Sequence, residues 1–216
     1  EAGFLAQLQR EKARANDLLH SVLPKSVVAE LKANGRFIPR RHEDVAVLLC
    51  DIVGFTEYCD GNRPEAVVEA LEALVSSFEA IVESHGLEKI KTIGDAFMAT
   101  AGLLRYVENP ALAAAECGLA MVSAAKEYSP GWQVRVGVHQ GPVVAGVMGK
   151  RSFVFDLWGD TVNVAARIAA EAEPDTIVVT GATWPFLAAG SHGRSLGEFD
   201  LKGKGKTELV RYLGRR

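Results

Sequence analysis

Residues 44–56 of the chain read DVAVLLCDIVGFT, a hydrophobic run that ends in an aspartate and a glycine turn. The β-branched and aliphatic residues at 44–50 predict a buried strand. Asp51 follows this strand directly, and a carboxylate there is costly to bury unless it is paired or binds a metal ion. Gly54 then turns the chain, so that backbone amides can face a phosphate. The stretch alone leaves two interpretations of Asp51 open, a turn-capping residue and a metal ligand.

The residues that follow alternate between helix-like and strand-like periodicity. A long helix is predicted at 63–85, where apolar side chains recur on one face. Two short strands are predicted at 87–92 and 96–101, on either side of a tight turn, and an alanine-rich helix at 110–126. With the first strand and the apolar segment after this second helix, the order β-α-β-β-α-β is typical of a ferredoxin-like unit. The fold class is therefore predicted to be α+β, a ferredoxin-like βαββαβ core with added C-terminal strands and helices.

The last part of the chain supplies those added elements. The pair Gly141-Pro142 interrupts an apolar stretch, so a hairpin is predicted with strands at 133–139 and 143–147. The other predicted elements are a helix at 160–170 that follows a loop, a strand at 176–179, and closing strands at 195–200 and 209–213 around a turn rich in lysine and glycine.

The first 43 residues are predicted to form an N-terminal linker, and residues 44–216 one folded domain. The linker begins with a helix at 1–23, which Pro24 ends, and continues with a short helix at 24–34. Residues spaced by 4, 3, 4, 3 and 4 positions give the first helix a heptad-like seam, namely Phe4, Leu8, Glu11, Ala15, Leu18 and Val22. This helix either packs on its own domain or forms a short parallel coiled coil between two protomers.

Composition narrows the class of protein and its surroundings. A net charge of −3 argues against a nucleic-acid-binding surface. The three cysteines are odd in number and widely spaced, so they indicate neither a disulfide framework nor a zinc site, and they favour a reducing compartment. No apolar run would span a bilayer, and there is no signal peptide. We therefore expect a cytoplasmic domain, or the cytoplasmic part of a membrane-attached protein. The sequence starts at Glu1 instead of Met, so we expect an excised piece of a longer protein with a sensor or membrane segment upstream.

A second aspartate lies in the predicted turn between the two short strands. The sequence there is Lys91-Thr92-Ile93-Gly94-Asp95-Ala96-Phe97. An aspartate in a turn is usually structural. In a ferredoxin-like sheet, however, this hairpin lies beside the first strand, so Asp95 would come close to Asp51. Two carboxylates beside a glycine turn make a plausible site for Mg²⁺ ions that carry a triphosphate.

A third cluster of polar residues follows the predicted hairpin. Residues 155–167 read FDLWGDTVNVAAR. If Asp160 begins a helix, Asn163 and Arg167 lie four residues apart on one face. They either form a polar stripe on the surface or direct an amide and a guanidinium together at an oxygen-rich ligand.

These three stretches closely resemble the class III adenylyl and guanylyl cyclases. The resemblance runs from about Val45 to Tyr212, and its motifs are long, in the same order and similarly spaced. It implies that Asp51, Asp95 and the backbone carbonyl of Ile52 bind two divalent metal ions, Mg²⁺ or Mn²⁺. The substrate that it implies is a nucleoside triphosphate.

The same resemblance implies which residues contact the nucleotide. Asn163 corresponds to the residue that orients the ribose, and Arg167 to the arginine that stabilises charge on the α-phosphate in the transition state. The phosphate-binding residues correspond to Val53, Gly54, Phe55 and Thr56 in the loop, and to Arg135 and Lys202. The ribose 3′-oxygen would attack the α-phosphorus in line and release pyrophosphate. No dedicated general base is evident.

Hydrogen-bond chemistry then favours one base. The resemblance assigns Lys91 and Asp156 to the pair that reads the base. Lys91 only donates, and an ionised Asp156 only accepts. This pair complements adenine, which offers an acceptor at N1 and a donor at its N6 amine, whereas guanine reverses both. The predicted substrate is therefore ATP, and the predicted product is cyclic AMP.

The resemblance also implies a head-to-tail homodimer with two equivalent sites, because in this family each site draws on two subunits. One protomer would supply Asp51, Asp95 and Arg135. The other would supply the remaining residues, which are Lys91, Asp156, Asn163, Arg167 and Lys202. The alternatives are a guanylate cyclase, a catalytically inactive regulatory domain of the same family, and a ferredoxin-like interaction module without a ligand. The base-reading pair argues against the first, the complete set of site residues against the second, and the convergent carboxylates against the third.

Overall fold

The structure, a computed structural model, describes residues 2–128, 130–149 and 153–216. Its strands form one eight-stranded sheet, and helices pack on both faces of the sheet. The helices are α1 (Ala2–Val22), α2 (Lys25–Asn34), α3 (Phe55–Gly61), α4 (Pro64–Ser84), α5 (Pro110–Glu127), α6 (Asp160–Glu171) and α7 (Pro185–Ala188). The strands are β1 (Arg40–Ile52), β2 (Glu88–Ile93), β3 (Ala96–Ala101), β4 (Val134–Met148), β5 (Val154–Trp158), β6 (Thr176–Thr180), β7 (Ser191–Leu201) and β8 (Gly205–Arg215).

The sheet confirms the predicted α+β class with its ferredoxin-like core. Its strand order is β2-β3-β1-β4-β6-β8-β7, and β5 pairs with β4 outside this path. The pairs β2–β3, β3–β1 and β1–β4 are antiparallel, so β1 lies between β3 and β4, and β4 is parallel to β6 on its other side. The hairpin of β2 and β3 therefore lies beside β1, as the βαββαβ order requires.

Alternation along β1 determines which face of the sheet carries the site. The even-numbered residues from Ala46 to Ile52 pack in a core with α4 and α5. The odd-numbered residues from Val45 to Leu49 pack in a second core with α2, β5 and α6. Successive side chains of a strand point to opposite faces, so Asp51 continues the second series. Its carboxylate lies where that apolar row ends.

The predicted hairpin at 133–147 is wrong, because β4 is one continuous strand. It pairs with β1 along most of its length, from Ile52 opposite Val134 to Arg40 opposite Ala145. Pro142 lacks a backbone N–H and would break a regular ladder. The register of β1 shifts between His42 and Val45, which is the position opposite Pro142. This bulge takes Pro142 out of the hydrogen-bond ladder, so the strand continues through it.

Several strand boundaries differ from the sequence predictions, whereas the boundaries of three predicted helices agree with them. Strand β5 replaces the predicted loop before 160, and α3 begins directly after the glycine turn at Gly54. Strand β1 begins at Arg40 instead of Asp44, and β7 and β8 are both longer than predicted. The predicted helices at 63–85, 110–126 and 160–170 agree with α4, α5 and α6 to within one residue at each end.

The N-terminal helix is present, and Lys32 of α2 donates to Asn16 on it, but its predicted seam stays exposed. Of its predicted seam, Phe4 and Val22 are about 70% exposed, and Leu8 and Leu18 are also exposed. Glu1, the first residue of the predicted helix, lies outside the described residues. The helix therefore does not bury its seam against its own domain. Within the described part of the chain, no helix combines the length and the apolar character that crossing a bilayer requires.

Candidate active site

The centre of the site is a cross-strand pair at the end of β1. Asp51 stands directly opposite Arg135 in the register of β1 and β4. Both Nε and Nη2 of Arg135 donate to Oδ2 of Asp51, at 2.9 and 2.8 Å, and Nη1 donates to the carbonyl of Ala170 at 3.0 Å. These bonds fix the guanidinium between the sheet and the end of α6.

Asp95 adds a second carboxylate beside this pair. It lies in the turn between β2 and β3, next to Gly94, whose φ of 62° suits a glycine. Partial burial raises the pKa of Asp95, and the neighbouring charge of Asp51 raises it further. The prediction that the hairpin brings Asp95 close to Asp51 is thereby confirmed.

The two carboxylates fit a magnesium-type site. Their oxygens are the ligands that Mg²⁺ and Mn²⁺ prefer, and a divalent cation would relieve the repulsion that raises the pKa of Asp95. Within residues 2–128, 130–149 and 153–216, no cluster of three or more His, Cys, Asp or Glu side chains forms a complete metal cage. This donor set suits ions that take one or two carboxylates and complete their coordination with substrate phosphates. The carbonyl of Ile52, at the end of β1, is adjacent in sequence to Asp51.

The glycine turn between β1 and α3 offers fewer amides than the sequence suggested. Gly54 has a φ of 72°, and α3 begins at Phe55. The amide of Val53 already donates to the carbonyl of Gln133 at 2.9 Å. The amides of Phe55 and Thr56, in contrast, belong to the first turn of a helix, where N–H groups have no intrahelical acceptor.

A second polar group joins β2 to β5. Nζ of Lys91 lies 2.5 Å from Oδ2 of Asp156, and the side chain of Asp156 is only 13% exposed. The other carboxylate oxygen accepts the amide of Leu157 at 2.8 Å. Lys91 stands opposite Met98 of β3, which faces the same core as Val45 to Leu49. The pair therefore lies on the same face of the sheet as Asp51.

A third group lies on α6 and on the turn between β7 and β8. Asn163 is exposed on α6, and Arg167 is partly exposed one turn later. Nη1 of Arg167 lies 3.9 Å from the point where a Cβ on Gly203 would be, so its guanidinium reaches the turn that also carries the exposed Lys202. An ion pair between Lys204 and Asp160 ties that turn to the first residue of α6.

The predicted site residues thus fall into three groups. Apart from the bond of Arg135 to the carbonyl of Ala170 at the end of α6, no hydrogen bond or ion pair among the described residues joins the first group to the other two. Sequence reasoning missed the Asp160–Lys204 ion pair. The sequence shows only an acidic residue at a predicted helix start and a lysine in a turn, and neither residue indicates that the other is its partner.

Comparisons with known proteins agree with this geometry. Residues 37–213 match the family model of the adenylate and guanylate cyclase catalytic domain. The chain is 36% identical to an adenylate cyclase of Mycobacterium tuberculosis, over 98% of this chain and 49% of that protein. It is also 36% identical to guanylate cyclase 2G of Rattus norvegicus, over 93% of this chain and 19% of that protein. The guanylate cyclase domain of RhGC from Catenaria anguillulae, solved in complex with GTP, is similar in structure with a TM-score of 0.80 and 28% identity, over 82% of this chain and all of that domain.

Proposed function

The chain belongs to the adenylate and guanylate cyclase catalytic domain family, and on that premise we propose that it is an adenylate cyclase, which converts ATP into 3′,5′-cyclic AMP and pyrophosphate. Relatives named for both activities match to the same extent, so family membership leaves the choice of base open. The ion pair of Lys91 with Asp156 is the observation that carries the choice of ATP.

The geometry of that pair suits the edge of adenine. The N1 atom and the N6 amine are neighbours on one edge of the base, so the groups that read them must also be neighbours. Lys91 and Asp156 are 65 positions apart in sequence, and the fold brings their charged atoms into contact. One group donates and the other accepts, in the order that adenine needs. Guanine would place N1–H against an ammonium and O6 against a carboxylate, and unmatched buried polar groups are costly.

The other residues take roles in phosphate transfer. When bound, two divalent ions would supply Lewis-acid stabilisation of charge on the attacking oxygen and on the triphosphate. Asp51, Asp95 and the carbonyl of Ile52 would hold them. Arg135 and the free amides of α3 would bind the β- and γ-phosphates, together with Lys202. Asn163 would orient the ribose so that its 3′-oxygen faces the α-phosphorus in line, and Arg167 would place positive charge where negative charge develops.

A homodimer would bring the three groups together around one nucleotide. The arm formed by β4 and β5 exposes apolar side chains, among them Met148, Phe153, Val154 and Trp158. Contiguous apolar surface of this kind is typical of a protein–protein interface. If a two-fold partner covers the arm, the Lys91–Asp156 pair and α6 of one chain would face Asp51 and Asp95 of the other.

Product analysis tests the proposed activity. The chain is incubated with ATP or with GTP, plus Mg²⁺ or Mn²⁺, and the products are separated by chromatography. We expect cyclic AMP and pyrophosphate in equal amounts, with kcat/KM for ATP at least about tenfold above that for GTP. A preference for GTP would identify a guanylate cyclase, and failure to form either product under dimeric conditions would identify an inactive regulatory domain.

Mixing two inactive variants is expected to restore activity. Asp51→Ala removes a residue proposed to act from one protomer, and Asn163→Ala removes one proposed to act from its partner. In the mixed dimer one site carries both defects and the other carries neither. The mixture should therefore recover roughly a quarter of wild-type activity, because random mixing makes half the dimers mixed and each has one intact site. The measurement is specific activity against mixing ratio, with heterodimers verified by native mass spectrometry; absence of recovery in verified heterodimers would show that each site is built within one chain.

The N-terminal helix is proposed to pair two protomers as a coiled coil. Its seam is exposed in the structure, and a row of exposed apolar residues at heptad spacing needs a partner. Removal of residues 1–22 should raise the dimer dissociation constant at least about tenfold and lower specific activity most at low protein concentration. Sedimentation and activity over a concentration series measure both. If the concentration dependence does not change, the helix has another role, such as contact with a proposed sensor domain. The chain spans about half or less of the length of these relatives.

A further inference from the structure

Helix α6 lies directly on the backbone of β4. A Cβ added to Gly137 would lie 2.5 Å from the carbonyl oxygen of Ala165, and one added to Gly141 would lie 2.7 Å from Oγ1 of Thr161. Distances below 3 Å exclude a side chain at either position. Alternation along β4 places His139 on the same face, between these two contacts. On this face of β4, the imidazole is thus the only side chain between Gly137 and Gly141.

The ring of His139 is held from the far side by two buried hydroxyls. Nδ1 lies 2.8 Å from Oγ1 of Thr180 and 3.2 Å from Oγ1 of Thr183. The two hydroxyl oxygens are 3.0 Å apart, and both residues are almost completely buried. Oγ1 of Thr183 also accepts the amide of Gln140 at 3.0 Å. This network fixes the ring relative to β6 and to the chain that follows it.

The ring also lies near the charged start of α6. Burial lowers the pKa of His139 to about 4; the carboxylate of Asp160 opposes this shift, and the ammonium of Lys204 adds to it. The imidazole is therefore neutral at physiological pH. It lies near the ion pair that ties α6 to the turn between β7 and β8 and adds no charge to it.

We propose that His139 is a positioning residue, which fixes the start of α6 and the β7–β8 turn, and thereby holds Asn163, Arg167 and Lys202 in the geometry that the transition state requires. This inference rests on the proposed function. Gly137 and Gly141 let α6 approach the strand but contribute no side chain that resists sliding of the helix. His139 supplies that resistance, since its ring is hydrogen-bonded to β6 and lies on the α6 face of β4 between the two contacts. Its hydrogen bonds go to Thr180 and Thr183 and not to a proposed nucleotide-binding residue, and it is not proposed as a general base.

Two substitutions of His139 test this role. His139→Asn keeps a polar atom near the position of Nδ1, whereas His139→Leu fills similar volume without a hydrogen bond. We expect His139→Leu to lower kcat by about 10- to 100-fold with KM within about threefold, because a displacement of about 1 Å costs this much rate while the Lys91–Asp156 pair is untouched. His139→Asn should recover most of kcat. The pH–rate profile between pH 6 and 9 should keep its shape in both variants.

Amide hydrogen exchange gives a readout that does not depend on activity. In His139→Leu, exchange should accelerate in α6 and in residues 201–205 and stay unchanged in β2 and β3, whereas His139→Asn should resemble the wild type. The same pair of substitutions at His42, a partly buried histidine on β1, is the matched control. If His139→Leu does not fold, Thr180→Val removes only the hydroxyl beside Nδ1 and carries the same expectation.

The outcomes separate the two proposals. Unchanged exchange in α6, equal loss in the Asn and Leu variants, a rise in KM alone, or loss of one limb of the pH profile would each overturn the positioning role. If the wild-type chain forms no cyclic nucleotide, the proposed function fails, and the exchange experiment still decides whether His139 positions α6.

Discussion

Replacement of either Asp51 or Asp95 is expected to lower kcat/KM for cyclisation about 100-fold or more, which corresponds to ~2.7 kcal/mol of barrier or above. The reason is the donor set: the structure brings these two carboxylates together at the end of β1, and a divalent cation would offset the burial and the mutual charge that raise the pKa of Asp95. Asp51→Asn and Asp95→Asn are the sharper variants, because the amide keeps the shape of the side chain and removes the charge.

Metal binding is measured separately from turnover. Electron paramagnetic resonance of Mn²⁺, in the presence of α,β-methylene-ATP, which cannot release pyrophosphate, should show bound metal in the wild type and at least about tenfold weaker binding in each variant. The matched control is Glu127→Gln, the same change of acid to amide at an exposed position on α5. Either aspartate variant with more than about a tenth of wild-type kcat/KM, and an unaltered circular dichroism spectrum, would show that the carboxylates do not form the metal site.

The first half of the chain could be predicted because its signals are local and agree with one another. Apart from the short helix α3, which was not predicted, each helix and strand from β1 to α5 shows the periodicity typical of its type and a turn signal near its ends. The βαββαβ order then admits few arrangements, and the one observed places Asp95 next to Asp51. Two residues that are 44 positions apart in the numbering could thus be brought together from sequence pattern and topology alone.

The second half shows where sequence pattern fails. Gly141-Pro142 is a strong turn signal, and it was overridden by a bulge in β1 that no pattern in β4 reveals. Strand β5 has only five residues and is stabilised by pairing with the far end of β4. Five residues are too few to show a periodicity that would distinguish this strand from a loop. The glycine turn in the first half of the chain is a similar case: the amide of Val53 belongs to this turn in sequence, but it donates to the carbonyl of Gln133 in the second half. In each case a long-range partner determines the local structure.

Contact between Lys91 and Asp156 could not be derived from periodicity or spacing at all. The two residues lie on β2 and β5, and the prediction paired them only through the resemblance to cyclases. The contact depends on β4, which carries β5 back over the sheet face occupied by Leu49 and Met98. Its consequence is a preformed donor and acceptor at 2.5 Å, which makes the choice of base open to direct test.

Exchange of both base-reading groups is expected to reverse the preference for ATP. Lys91→Glu supplies an acceptor for N1–H and the exocyclic amine of guanine, and Asp156→Cys removes the charge that would repel O6. Each contact should contribute about 1–3 kcal/mol of discrimination, so the ratio of kcat/KM for ATP to that for GTP should fall at least about 100-fold in the double variant. The measurement is kcat/KM with both nucleotides in the wild type, the two single variants and the double variant.

The structure predicts that each single variant is worse than the double one. Lys91→Glu alone places a second carboxylate against Asp156, which is nearly buried, and two like charges at that distance repel strongly. Asp156→Cys alone leaves the ammonium of Lys91 without its partner. The double variant removes both conflicts, so it should retain more GTP cyclisation than either single change. Lys89→Glu is the matched control, because Lys89 is on the same strand but pairs with Glu79 of α4, and its ATP to GTP ratio should not change. An unaltered ratio in the double variant would mean that Lys91 and Asp156 do not read the base, and the proposal of ATP as substrate would lose its structural support.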